Sequence, residues 1–146
     1  MKVYHIYIIG IILCIASCTR HSHEWEKLQD VETYIVTNAD SALVTLQNIQ
    51  PESLINKEEK AKYALLLSMA MDKNYIDRTD FEVLQPAIDY YSEKGTPDEK
   101  LRTYYYQGRI YQNKGDNDLS MKAFINAREL KDEITDTLTY ANLLVA

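Results

Sequence analysis

Three histidines (His5, His21, His23) and two cysteines (Cys14, Cys18) are the side chains best suited to nucleophilic or metal chemistry. All five fall within the first 23 of 146 residues. A serine or cysteine nucleophile needs a base beside it, and no histidine follows His23. A structural Cys/His metal centre needs about four ligands. His21-x-His23 offers two, in a polar stretch that reads as solvated linker. Asp72-x-Asn74 begins like a calcium loop. It fails because Ile76 stands at the next ligand position, Asp77 replaces the turn glycine and Val83 replaces the closing glutamate. Asp116-Asn117-Asp118 reads as a turn and helix cap. The four glycines are isolated, so no phosphate-cradling loop exists. Paired carboxylates lie on polar helix faces. The expectation is a protein with no catalytic residues, no metal and no cofactor.

The rest of the composition points to a helical framework. The chain is 46% apolar and 26% charged with only 4 Gly and 3 Pro, which is the composition of one globular domain. The net charge of −6 leaves no basic footprint for nucleic acid. Twelve tyrosines are the one oddity. Neighbours such as Tyr90-Tyr91 and Tyr104-Tyr105-Tyr106 diverge by about 100° on a helix, so they cannot share one face. Tyr91, Tyr104 and Tyr111 are expected in the core. Tyr90, Tyr105 and Tyr106 are expected to face a groove or the next helix pair.

Residues 1–18 read as an export signal. Lys2 precedes a mostly apolar run, Val3 to Ala16, and small residues precede Cys18. The run is shorter than the ~20 residues a spanning helix needs. The segment Ile15-Ala16-Ser17-Cys18 resembles the bacterial lipobox. That resemblance implies cleavage before Cys18 and acylation of its thiol and new amine, with three chains holding the protein on a bilayer. Residues 1–17 are then a lipoprotein signal peptide, and 18–23 an acylated cysteine and polar tether. Cys14 and Lys2 leave with the signal, so the charge becomes −7 and no internal disulfide remains. Thr19, rather than Asp, follows the cysteine. By the same resemblance this favours the outer membrane, on its periplasmic or surface face.

From residue 24 the pattern is that of helices. Ser22 is the expected cap of a helix whose apolar face is Trp25, Leu28, Val31 and Ile35. Asp40 or Ser41 caps a second helix (Ala42, Leu46, Ile49), which Pro51 stops. Asn56 with Glu59 caps a third, whose wide apolar surface from Ala61 to Met71 suggests burial between neighbours. Thr79-Asp80-Phe81-Glu82 fits a capping box for a fourth helix (Phe81, Leu84, Ile88, Tyr91). Pro86 either kinks that helix or places its start nearer Leu84. Gly95 is expected to stop it at positive φ. Thr96-Pro97-Asp98-Glu99 starts a helix running to Lys114. Gly115 ends it, and Asp116 or Asn117 caps the next. Thr135 or Asp136 opens a last helix, Leu138 to Ala146. No strand pattern follows residue 20.

Residues 101–134 resemble a tetratricopeptide repeat, a 34-residue helix–turn–helix unit. The resemblance rests on Tyr104, Gly108, Tyr111, Gly115-Asp116, Ser120, Phe124 and Ala127. Gly108 and Ser120 would let two backbones approach, Tyr104, Tyr111 and Phe124 would fill the crossing, and Gly115 would make the turn. Gln107 and Asp132 depart from the pattern. Looser matches divide residues 24–146 into pairs 24–50, 57–94 and 97–134, with 135–146 opening a further repeat. Together with the lipobox, Asp40-Ser41-Ala42-Leu43 and Lys60-Ala61-Lys62-Tyr63-Ala64, the chain resembles tetratricopeptide lipoproteins of the Bacteroidota type.

The resemblance implies an all-α, tetratricopeptide-like superhelix after a lipoprotein signal peptide. It further implies a scaffold without enzymatic activity at the cell envelope, binding a protein or peptide segment in a groove that includes Lys73, Tyr105, Gln112 and Asn113. Two rival expectations are a carbohydrate-capture lipoprotein and the sensor portion of a longer signalling protein. Leu143, Leu144 and Val145 lie in an apolar helix with no stop signal. They suggest either a truncated member of the family or an end that docks on something.

Overall fold

The structure, a computed structural model, describes residues 21–146. The expected signal peptide and the expected acylation of Cys18 fall outside the described residues. Seven α-helices are present among them: α1 Glu24–Tyr34, α2 Ala39–Gln47, α3 Lys57–Lys73, α4 Gln85–Lys94, α5 Pro97–Lys114, α6 Asn117–Arg128 and α7 Thr137–Leu143. A 3₁₀ turn, Pro51–Ser53, joins α2 to α3. The described residues contain no strand, so the class is all-α.

Local chemistry accounts for most helix ends. Asn56 caps α3 by accepting the Glu59 N–H at 2.9 Å. Thr96 and Glu99 form a reciprocal box at the start of α5, with Glu99 N–H to Thr96 Oγ1 at 3.3 Å and Thr96 N–H to Glu99 Oε2 at 2.8 Å. Pro97 occupies the first turn, where its missing N–H costs nothing. Gly115 ends α5 at φ 83°, a left-handed conformation that L side chains resist. Asp116 then caps α6 through the Leu119 N–H.

Five expectations about boundaries are corrected. The last helix spans Thr137–Leu143 rather than Leu138 to Ala146, with Leu144 at its C-cap. The Ser22 hydroxyl does not cap α1; His23 holds the cap position without a side-chain bond. Asn38, not Asp40 or Ser41, caps α2, accepting the Ser41 N–H at 3.3 Å. The fourth helix begins at Gln85, not at the Thr79–Glu82 box. Asp80 is instead engaged by Arg78 at 2.7 Å and takes the Glu82 N–H at 3.0 Å, which makes a turn. Pro86 tolerates only the first turn, so the start is the one nearer Leu84. Gly95 has φ −70°, so it is not a positive-φ stop. A Cβ there would lie 2.8 Å from Tyr91 O and 2.9 Å from Tyr91 Cβ. Glycine is needed at that position for close approach, not for backbone handedness.

The helices stack in two layers. The first helices of successive pairs, α1, α3, α5 and α7, touch one another in order. The second helices α2, α4 and α6 each pack against the first helix before and after them. One core runs through the stack from Leu28, Val31 and Leu46 through Leu66, Leu84 and Tyr91 to Leu101, Ala127 and Leu143. Each buried leucine contributes about 1.5–3 kcal/mol relative to exposure. No pair completes this core alone, which makes the stacking obligatory. The α5–α6 pair packs most extensively. Ser120 Oγ donates to Gly108 O at 3.0 Å, and a Cβ on Gly108 would meet Phe124 Cε1 at 2.2 Å.

Candidate ligand-binding face

The row α1, α3, α5 and α7 carries an ionic ladder that joins segments far apart in sequence. Glu32 of α1 pairs with Lys62 of α3 and, at 2.8 Å, with Arg102 Nη1 of α5. Arg102 Nε reaches Asp136 at 2.5 Å. Asp136 in turn caps α7, accepting the Thr139 N–H at 3.0 Å and its hydroxyl at 2.7 Å. Asp98 accepts the N–H groups of Thr135 and Asp136 at 2.7 and 3.0 Å. Burial alone would raise the Asp136 carboxyl. The Thr139 N–H and the Arg102 guanidinium outweigh it and hold the carboxyl below the usual value. Burial likewise opposes charge on Arg102, and Asp136 and Glu32 more than restore it. The Arg102–Asp136 pair therefore stays ionised across neutral pH.

Beside the ladder a small cavity of about 40 Å³ is lined by Lys73, Tyr106, Leu138, Asn142 and members of the ladder. Further along α5, Arg109 binds Asp72 at 3.0 Å and Gln112 Oε1 at 2.8 Å. On the other side of α3, between the 3₁₀ turn and α4, lies a broader open trough of about 590 Å³ lined by Leu54, Tyr63, Leu67, Val83 and Pro86. Among the described residues no group of three or more His, Cys, Asp or Glu side chains is placed to hold a metal. No described helix is long and apolar enough to cross a membrane.

The anticipated groove residues separate. Lys73 lines the small cavity beside the ladder, on the inner row formed by α1, α3, α5 and α7. Gln112 is half-buried, held by Arg109 and by the Ala146 carbonyl at 3.2 Å. Asn113 donates to Arg78 O at 3.3 Å, tying α5 to the 74–84 loop. Tyr105 is a correction. It is only 8% exposed, with its ring against Phe124 and Tyr106, so it belongs to the core. Tyr106 is likewise 5% exposed. The reason is that α5 is covered by α6 on one side and by α3 and α4 on another, so adjacent rings enter different interfaces. Tyr91 is fully buried. Tyr104 and Tyr111 are half-buried, with Tyr111 edge-on to Phe81 at 4.8 Å. Ala127 is fully buried.

Arg102, Asp136 and the buried Glu59 carry more of the architecture than their sequence neighbourhoods suggest. Arg102 gives no local signal, because Glu32 and Asp136 are 70 and 34 residues away. Glu59 was legible only as a cap partner. Comparison with protein-family models, with curated proteins and with solved structures finds no match to this chain.

Proposed function

We propose that the protein is a non-enzymatic scaffold with tetratricopeptide-like repeats. In this reading it is lipid-anchored through Cys18 at the cell envelope, on the outer membrane, and binds a protein or peptide segment. The observation that carries the reading is the unbroken inner row of four first helices. Stacked pairs leave such a row as a continuous surface along which an extended or helical segment can lie. Lys73, Val36 and Leu138 supply charged and apolar contact points on that surface. The Gly108–Ser120 contact and the Gly115 turn support the repeat resemblance, because they are the small-residue crossing and tight turn such a hairpin requires.

Two experiments test this reading. Incorporation of radioactive palmitate is expected in the native protein and absent in Cys18→Ala; equal labelling of both rejects the anchor. A photo-crosslinking amino acid at Lys73 is expected to trap discrete protein adducts in membranes, whereas one at Tyr63, in the trough on the other side of α3, traps few. Adducts at Tyr63 alone, or at neither position, reject the inner row as the binding face.

A further inference from the structure

Glu59 is 0% exposed, yet no lysine or arginine pairs with it among the described residues. Its carboxylate is held by two backbone N–H groups and one side-chain amide. Oε1 accepts the Ser22 N–H at 2.6 Å and Asn56 Nδ2 at 3.3 Å, and Oε2 accepts the Ile55 N–H at 2.9 Å. His21 Nδ1 stands 3.4 Å from Oε1. The His21 ring is stacked on Trp25 at 4.1 Å and 8°, and Lys62 lies over the other ring system at 5.3 Å. Burial alone would raise this carboxyl. The Ser22 and Ile55 N–H groups outweigh it and hold the carboxyl below the usual value. The first turn of α3 adds its own preference for an anion. The capping role of Glu59 needs none of the contact to Ser22, 37 residues earlier in the chain. That contact fastens the residues just before α1 onto the bundle.

We propose that Glu59 is a clasp on the membrane tether, and that it sets the end of the bundle bearing Ser22 and Ile55 against the phospholipid surface. This rests on acylation at Cys18. Cys18 is four residues before Ser22, so the acylated residue lies within about 14 Å of the clasp even with the chain fully extended. A tether free from Cys18 to α1 would reach further and let the domain tumble. A clasped one brings one particular surface to the bilayer. Ile55, whose N–H shares the clasp, is 56% exposed and offers an apolar side chain at that surface. The far end is marked by Tyr75, 92% exposed, just beyond α3. The 17 residues of α3 separate the two ends by about 25 Å. α3 then points away from the lipid, with its Lys57 end nearer the bilayer and its Lys73 end about 25 Å further out.

Acylated protein purified from membranes and reconstituted in phosphatidylethanolamine–phosphatidylglycerol vesicles tests the proposal. Vesicles with brominated acyl chains quench nearby fluorophores. Trp25, the single tryptophan, and a dye on Ile55→Cys are expected to be quenched at least twofold more than a dye on Tyr75→Cys. Ser22→Pro removes the donated N–H and leaves Glu59 its other partners. It is expected to bring the Ile55 and Tyr75 dyes to similar quenching while the thermal melt stays cooperative. Glu59→Gln is expected to act in the same direction. Equal quenching of Ile55 and Tyr75 dyes in protein whose mass includes the acyl chains overturns the orientation. No change on Ser22→Pro and Glu59→Gln overturns the clasp. A mass without acyl chains overturns the anchor itself and the lipid surface with it.

Discussion

Gly108→Ala tests the crossing of α5 and α6 most directly. Alanine is favoured over glycine inside a helix by about 1 kcal/mol, so an uncrowded site would gain stability. Gly108 is crowded: the added Cβ would lie 2.2, 2.5 and 2.9 Å from three Phe124 ring atoms, where ordinary contact begins at 3.4 Å. The ring must retreat by about 1.2 Å, and Tyr105 lies against it with centroids 6.0 Å apart. Overpacking of this kind costs roughly 1–3 kcal/mol. Because the clash is severe, we take the upper half of that range, which after the propensity gain leaves a net loss of about 1–2 kcal/mol. In a Phe124→Ala background the obstruction is gone, and the same substitution is expected to stabilise by about 1 kcal/mol. Urea unfolding followed by circular dichroism at 222 nm measures all four corners of this cycle. A stabilising Gly108→Ala in the native background refutes the reasoning. So does an effect of equal size in both backgrounds, since the coupling is expected to be about 2–3 kcal/mol.

Two further outcomes follow from the charged groups. Arg102→Met keeps much of the side-chain packing but leaves Asp136, 12% exposed, without its cation, while the more open Glu32 recovers water. The expected cost is about 2 kcal/mol, with amide exchange rising first in α7; a loss below about 0.5 kcal/mol, or uniform exchange, contradicts the ladder's role. Glu59, Asp98 and Asp136 all have carboxyls held below their ordinary values. Their contribution is therefore complete above the unfolded-state range, near 4.5 for Glu and 3.8 for Asp, and is lost as pH falls through the folded values. Tyr91 and Tyr106 are pushed the other way by burial, so their contribution is complete below the ordinary value of 10.0 and is lost above it. Melting temperature is expected to be flat between these limits and to fall on both sides; a steady slope from pH 5 to 9 contradicts both assignments.

The sequence by itself determined the helices and most of their ends. Three- and four-residue apolar spacing marks a buried face regardless of what covers it. The Thr96–Glu99 box, Pro97, Asn56 and Gly115 act within one turn, so their chemistry is complete in a short window. The same locality explains the failures. Gly95 looks like a left-handed stop until the approach to Tyr91 is seen, and the Thr79–Glu82 pattern is overridden by Arg78 and Pro86. The small residues Gly108 and Ser120 announced a close crossing because they are only 12 residues apart on one hairpin. Only the tertiary structure decided which tyrosines face outward. That depends on how many neighbours surround α5, and Tyr105 and Tyr106 are both enclosed because α3, α4, α6 and α7 all pack against it. It also decided the partners of Glu59 and Arg102. Electrostatic and hydrogen-bonding partners are chosen by distance in space. A carboxylate meeting a backbone N–H 37 residues away, or a guanidinium meeting a carboxylate 70 residues away, leaves no periodicity for the sequence to display.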